Sequence, residues 1–180
     1  MKFSDIKQFT KSGTYEVDIP LNYLERTLKS YTEDWGLEMN PDFQRGNVWT
    51  EEQQIAYLEF FFRGGKTARV IYFNCPDFGQ RESDSDMPNM ILVDGLQRLT
   101  AFLRFLRNEI PIFGNYCNDF EDVNYLGRSG LMIKFNINDL QYRREVLQWY
   151  LDMNTGGTVH SKEEIQKVRQ LLEEERIKLS

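Results

Sequence analysis

The sequence predicts an α+β fold, a small mixed sheet flanked by helices, on three observations. Helical periodicity recurs near both ends of the chain, in Leu21, Leu24, Leu28 and Tyr31 and again in Ile165, Val168 and Leu172. Short β-branched or apolar runs fall between them, at residues 67–73, 90–93 and 131–137. No internal repeat and no linker long enough to separate a pair of domains interrupts the 180 residues, so one domain over residues 1–180 is expected.

The elements follow in order. The first helix ends where Gly36 and Pro41 break the pattern. Thr50-Glu51-Glu52-Gln53 reads as a capping box opening a helix with Ile55, Leu58 and Phe62 inward, which stops at Gly64-Gly65. Residues 67–73 form a strand, and residues 76–88 a solvated loop carrying the acids Glu82, Asp84 and Asp86. Met90 to Val93 is a second strand, and Leu99, Phe102, Leu103 and Leu106 mark a helix running to about Arg107. Glu109 to Phe113 reads as a short strand and 114–128 as loop. Leu131, Ile133, Phe135 and Ile137 share one face of a further strand. A helix over 141–153 ends at the glycines 156 and 157, and Ser161-Lys162-Glu163-Glu164 is a second capping box. Glu173 to Glu175 reads as a solvated face.

Composition bounds the function. A hydrophobic share of 41% is enough to build a core without staples. A formal charge of −6 argues against a general clamp for nucleic acid, whose affinity comes from many lysine and arginine contacts to phosphate. His160 is the only histidine, which argues against zinc fingers, HNH-type nucleases and Ser-His-Asp hydrolases. Cys75 and Cys117 lie far apart in no paired motif, so reduced thiols are expected. No signal peptide and no membrane-spanning run is read, which predicts a cytoplasmic protein without a membrane partner.

Three polar clusters sit at breaks in the pattern: residues 41–49, Asp94-Gly95-Leu96-Gln97-Arg98, and residues 154–158. The second carries the clearest physics. A strand ending at Asp94-Gly95 and turning into a helix leaves the first helical N–H groups pointing outward, where the helix dipole favours an anion. Arg98 falls in the first turn, where that dipole prefers an acid, and a phosphate facing Arg98 would account for it. Asp94 is then open to a ribose hydroxyl, to a metal through water, or to Arg98 itself. The plainer alternative is that Asp94 caps the helix while Arg98 pairs with Asp94 or Asp42. Gln44-Arg45 places a second arginine at a loop-to-helix junction, which suits a polyanionic ligand.

These three clusters, Pro41-Asp42-Phe43-Gln44-Arg45-Gly46-Asn47-Val48-Trp49, Val93-Asp94-Gly95-Leu96-Gln97-Arg98-Leu99-Thr100, and Asn154-Thr155-Gly156-Gly157-Thr158 before Ser161, resemble in order and spacing the motifs of the GmrSD-type restriction endonuclease N-terminal domain, a relative of the ParB/sulfiredoxin-like fold. The resemblance runs from about residue 40 to residue 170. It implies a nucleotide-binding, often NTP-hydrolysing domain that drives or licenses a nuclease against modified phage or foreign DNA, in the cytoplasm of a bacterial or phage-infected cell. It implies nucleotide binding by Gln44, Arg45, Asp94, Gly95, Arg98, Asn154 and Thr155, and catalytic work by Asp94, Gln97 and Arg98. Mg²⁺ at Asp94 is the implied cofactor, and DNA and a separate nuclease chain are the implied further partners. Leu96 departs from the family's aspartate-glycine-glutamine-glutamine-arginine pattern. Leucine can neither orient a water nor bind a phosphate, so hydrolysis is expected to weaken more than binding. Two other readings stand beside this one. A DNA-binding or modification-sensing module would use a patch of Arg45, Arg63, Lys66, Arg69 and Arg98. A protein-interaction module would keep the fold as a decoy or inhibitor without turnover.

Overall fold

In the computed structural model of the chain, structure is described for residues 1–6, 15–44, 46, 48–76, 78, 87, 90–127, 130–155 and 162–178. Among them lie four strands, β1 (Tyr15–Pro20), β2 (Val70–Asn74), β3 (Ile91–Asp94) and β4 (Met132–Asn138). Five α-helices accompany them: α1 (Leu24–Trp35), α2 (Glu51–Phe62), α3 (Leu96–Leu106), α4 (Arg143–Thr155) and α5 (Lys162–Ile177). The strands form one sheet in the order β1-β4-β2-β3. β4 pairs antiparallel with β1 and parallel with β2, and β2 pairs antiparallel with β3, so the sheet is mixed as expected.

Pleat alternation sends the sheet's side chains to two cores. Ile71, Phe73, Leu92, Ile133, Phe135 and Ile137 join Leu24, Leu28, Leu58, Phe61 and Phe102 of α1 to α3 in the larger one. Ile91 and Val93 point the other way, to Phe43, Val146, Leu147 and Tyr150 and to Val168 and Leu172 of α5. Both faces of the sheet are therefore covered, α1 to α3 on one side and α4 with α5 on the other.

Local signals hold where they are strongest. Thr50 accepts from the Gln53 N–H at 3.3 Å and Gln53 Oε1 accepts from the Thr50 N–H at 2.9 Å, which is the capping box that starts α2. Gly36 closes α1 in the left-handed conformation, with φ 59°. The buried stripe of α2 is turned from the expected one: Gln54, Leu58 and Phe61 are buried, while Ile55 and Phe62 are half-buried. Gln54 can be buried because its amide donates to Trp49 O at 3.2 Å and accepts from Arg104 Nη1 at 2.9 Å.

Other expectations need correcting. Residues 109–113 form no strand; Ile112 makes only an isolated bridge to Asn115, with Phe113 left-handed between them at φ 48°. Ile110 and Ile112 are buried, so the apolar signal reported burial and not extension. The 114–128 segment contains two 3₁₀ turns, Cys117–Asp119 and Val123–Gly127. β1 has no counterpart among the strands expected from sequence. Glu175 is not a solvated side chain: it is 15% exposed and pairs with Lys178 at 2.9 Å and Arg143 at 3.8 Å. Cys75 and Cys117 are free and buried. The second capping box at Ser161, the lone His160 and most of the 76–88 loop lie outside the described residues. No helix among the described residues is long and apolar enough to cross a membrane.

Candidate functional site

The site is built where β3 turns into α3. Gly95 stands at the turn with φ 111°, and a Cβ there would lie 2.7 Å from Ile71 Cδ1 and 3.3 Å from Ile71 Cα. Glycine is thus required twice, by the backbone angle and by the close approach of β2. Gly95 has no side chain to cap α3, and Asp94 does not cap it either. The helix begins its hydrogen bonding with Leu99 N–H to Gly95 O at 2.9 Å. The N–H groups of the preceding turn are the positive end of an eleven-residue helix.

Arg98 lies in that first turn and reaches back to Asp94, Nη2 to Oδ2 at 2.5 Å. Its side chain is 15% exposed and that of Asp94 is 34% exposed, so the pair sits at a partly desolvated surface. Of the two plainer pairings, Asp94 is the one formed; Asp42 instead binds Arg143 at 2.6 Å. Tyr57 of α2 lies beside this pair. Burial pushes its hydroxyl up to about 12, an effect the positive charges of Arg98 and Arg69 partly oppose.

The described residues of the segment 41–49 form a strap that frames the same place, and side chains fix it. Gln97 uses both ends of its amide: Oε1 accepts from Val48 N–H at 2.9 Å and Trp49 N–H at 3.0 Å, and Nε2 donates to Gly46 O at 2.7 Å. Gln44 Nε2 donates to Leu92 O at 2.5 Å and Val93 O at 3.2 Å. With the Glu38 backbone, which bonds Met90 O and Leu92 N–H, Gln44 covers the free edge of β3. Phe43 packs edge-on against Tyr150 of α4 at 5.2 Å, and Lys167 of α5 donates to Asp42 O. Trp49 lies 5.4 Å from the Tyr57 ring. Each helix from α2 to α5 therefore holds this strap.

The structure brings Gln44, Gly46, Asp94, Gly95, Gln97 and Arg98 into one cluster. Gln97 and the amide nitrogen of Gln44 hold backbone, so they position the site. Asn154 is in the last turn of α4, donating to Tyr150 O at 2.7 Å, one turn beyond the ring that contacts Phe43. Thr155 ends α4. Arg45 lies outside the described residues, as does Asn47. Leu96 turns into the larger core, so the departing position presents no polar group to the site. Sequence reasoning missed Tyr57, whose neighbourhood to Arg98 has no local signal; the aromatic spacing of Trp49 and Tyr57 across a capping box was the nearest hint. Among the described residues no group of three or more His, Cys, Asp or Glu could hold a metal.

A family model described as the GmrSD restriction endonuclease, N-terminal domain, matches residues 24–128, more than half of the chain. The chain belongs to the GmrSD N-terminal domain family. The family match takes in the strap, β3 and all of α3, and leaves Asn154 and Thr155 beyond its end. Searches of curated proteins and of solved structures each returned no match.

Proposed function

We propose that this GmrSD-type domain binds a nucleotide at the start of α3 and acts as the regulatory domain of a restriction system whose nuclease is a separate unit. The observation that carries the reading is the N-terminus of α3, which no side chain caps and which has Arg98 in its first turn; the Asp94 partner of Arg98 would have to give way to phosphate. Helix N–H groups and an arginine fork together suit phosphate oxygens. Arg45, outside the described residues, is the second cation that the family resemblance implies. Gln44 and Gln97 keep strap and helix in register, and Asn154 and Thr155 enter only as contacts that the family resemblance implies.

Mg²⁺ enters as the ion that accompanies the phosphates. Asp94 offers one carboxylate, and magnesium needs only one or two when phosphates and water supply the remaining ligands. Asp94 is also the partner of Arg98, so bound phosphate competes with Asp94 for the guanidinium. With Leu96 in the core, hydrolysis falls to charge neutralisation alone and is slow relative to binding. The DNA reading is weaker because its patch is already engaged. Arg69 donates to Gly65 O, Gly130 O and Phe61 O, and Arg63 lies over the Phe113 ring.

The test is a thermal-shift and phosphate-release series with all four NTPs, with and without Mg²⁺, on wild type, Arg98→Ala and Asp94→Asn. At least one NTP is expected to stabilise wild type, with binding weakened tenfold or more in Arg98→Ala, about 1.4 kcal/mol or more. Unchanged affinity in a folded Arg98→Ala protein overturns the reading, as does the absence of any nucleotide effect on wild type.

A further inference from the structure

A cavity of about 150 Å³ opens at the far end of α3, away from the proposed nucleotide site. Phe105, which lines it, is nine residues from Leu96, roughly 14 Å along the helix axis. Its walls are Phe62, Phe105 and Phe120, set edge-to-face at 5.3 Å and 6.3 Å, with Ile112 and Leu131 beside them. Cys117 lines it too, and burial raises its thiol pKa, so it contributes as an apolar atom and not as a thiolate. An apolar cavity of this size elsewhere is known to stay dry and to accept benzene.

The rim differs from the walls. Phe113 and Tyr125 stand there, 43% and 46% exposed. Phe113 holds a left-handed backbone, φ 48°, which costs a non-glycine residue energy and persists only where neighbours impose it. Two neighbours do so: Glu59 accepts the Phe113 N–H at 2.8 Å, and the Arg63 guanidinium lies 5.0 Å from the ring centroid. Asp122 is the one charged side chain among the lining residues.

We propose that this cavity is a binding site for a small aromatic amine: one ring of about six to nine heavy atoms in the cavity, with a protonated amino group at Asp122. Volume sets the ring and edge-to-face walls favour an aromatic one. The lone carboxylate sets the charge of the substituent. Nothing in the nucleotide reading enters this proposal.

The full chain, labelled at its Ile, Leu and Met methyl groups, is titrated by NMR with toluene, benzylamine and benzoate. Toluene and benzylamine are expected to shift Ile112, Leu126 and Leu131. Benzylamine should bind about two- to fivefold tighter than toluene, the worth of one exposed ion pair, and benzoate more weakly than both. Asp122→Asn should bring benzylamine level with toluene. Leu126→Phe, which fills a half-buried lining position, should abolish binding of every ring while the chain still melts cooperatively. No methyl shift with any ring overturns the proposal. So does benzoate binding as well as benzylamine, and so does binding that survives in Leu126→Phe. Self-association that Leu126→Phe disperses, without ring binding, would assign the cavity to a second copy of the chain and overturn it as well.

Discussion

The two ends of α3 solve opposite problems with the same backbone device. At its start, Gly95 takes a positive φ where β2 crowds it, and Gln97, Gln44 and Arg98 tie the neighbouring strap and strand with hydrogen bonds. Beyond its end, Phe113 and Gly114 also take positive φ, but a Cβ at Gly114 would meet nothing within 4 Å, and the surroundings are rings around a void. Polar cross-links tie the first end to its neighbours. Apolar walls with one rim acid make the second permissive. Glycine takes the positive φ without strain at Gly95 and Gly114, and Phe113 takes it at a cost; the two glycines differ in whether their neighbours leave room for a side chain.

The largest effect should come from Gly95→Ala, which adds both left-handed strain and a clash with β2. A loss of about 3 kcal/mol is expected in urea unfolding, against about 1 kcal/mol for Gly114→Ala, which adds strain alone. Equal losses would mean that the crowding at Ile71 relaxes freely.

Gln97→Leu should cost about 2 kcal/mol, because it orphans the N–H groups of Val48 and Trp49 and the Gly46 carbonyl. Hydrogen exchange should then speed up at Val48 and Trp49 and stay unchanged at Ile112 and Asn115. Faster exchange at both ends would show that the ends are coupled.

Alkaline pH should sharpen the contrast further. Tyr57 titrates near 12 in the folded chain and near 10 unfolded, so the unfolded state releases its proton first. Its contribution is complete below pH 10 and lost as pH rises from about 10 to about 12, by about 1–2 kcal/mol allowing for partial exposure. Tyr57→Phe should remove part of the fall in urea-measured stability over that window, with Tyr31, also pushed up to about 12 by burial, supplying the rest; an unchanged slope would remove Tyr57 as a source.

The smallest effect belongs to the rim. Arg63→Ala should cost about 0.5 kcal/mol through the lost contact with Phe113, read as a small fall in the urea midpoint. A loss above about 2 kcal/mol would show that Arg63 holds more than one ring.

How much was legible follows from the range of the forces. Thr50 and Gln53 announced the start of α2 because a capping box is made within four residues. Leu24 and Leu28 marked α1 because helical periodicity is local. β1 escapes a sequence reading because its six residues end in Pro20 and bury only Ile19 fully; it exists by pairing with β4, from Tyr15 to Ile137 and on to Pro20 with Met132. Residues 109–113 misled because Ile110 and Ile112 are buried in a turn that looks like a strand until no partner strand is found.

The same division runs through the site. Composition, the caps and the three ordered motifs by themselves determined an α+β chain of the GmrSD N-terminal family and marked Gln44, Gly95, Gln97 and Arg98 as special. Only the tertiary structure decided what their side chains do. Gln97 and Gln44 spend their amides on backbone more than forty residues away, Arg98 pairs with Asp94 and not Asp42, and Leu96 belongs to the core. Nor could the sequence foresee the aromatic cavity, because Phe62, Phe105, Phe120 and Leu131 meet only after four separate segments have packed. Local patterns encode backbone conformation within a few residues; partners for side chains are chosen by packing, which no window of the sequence contains.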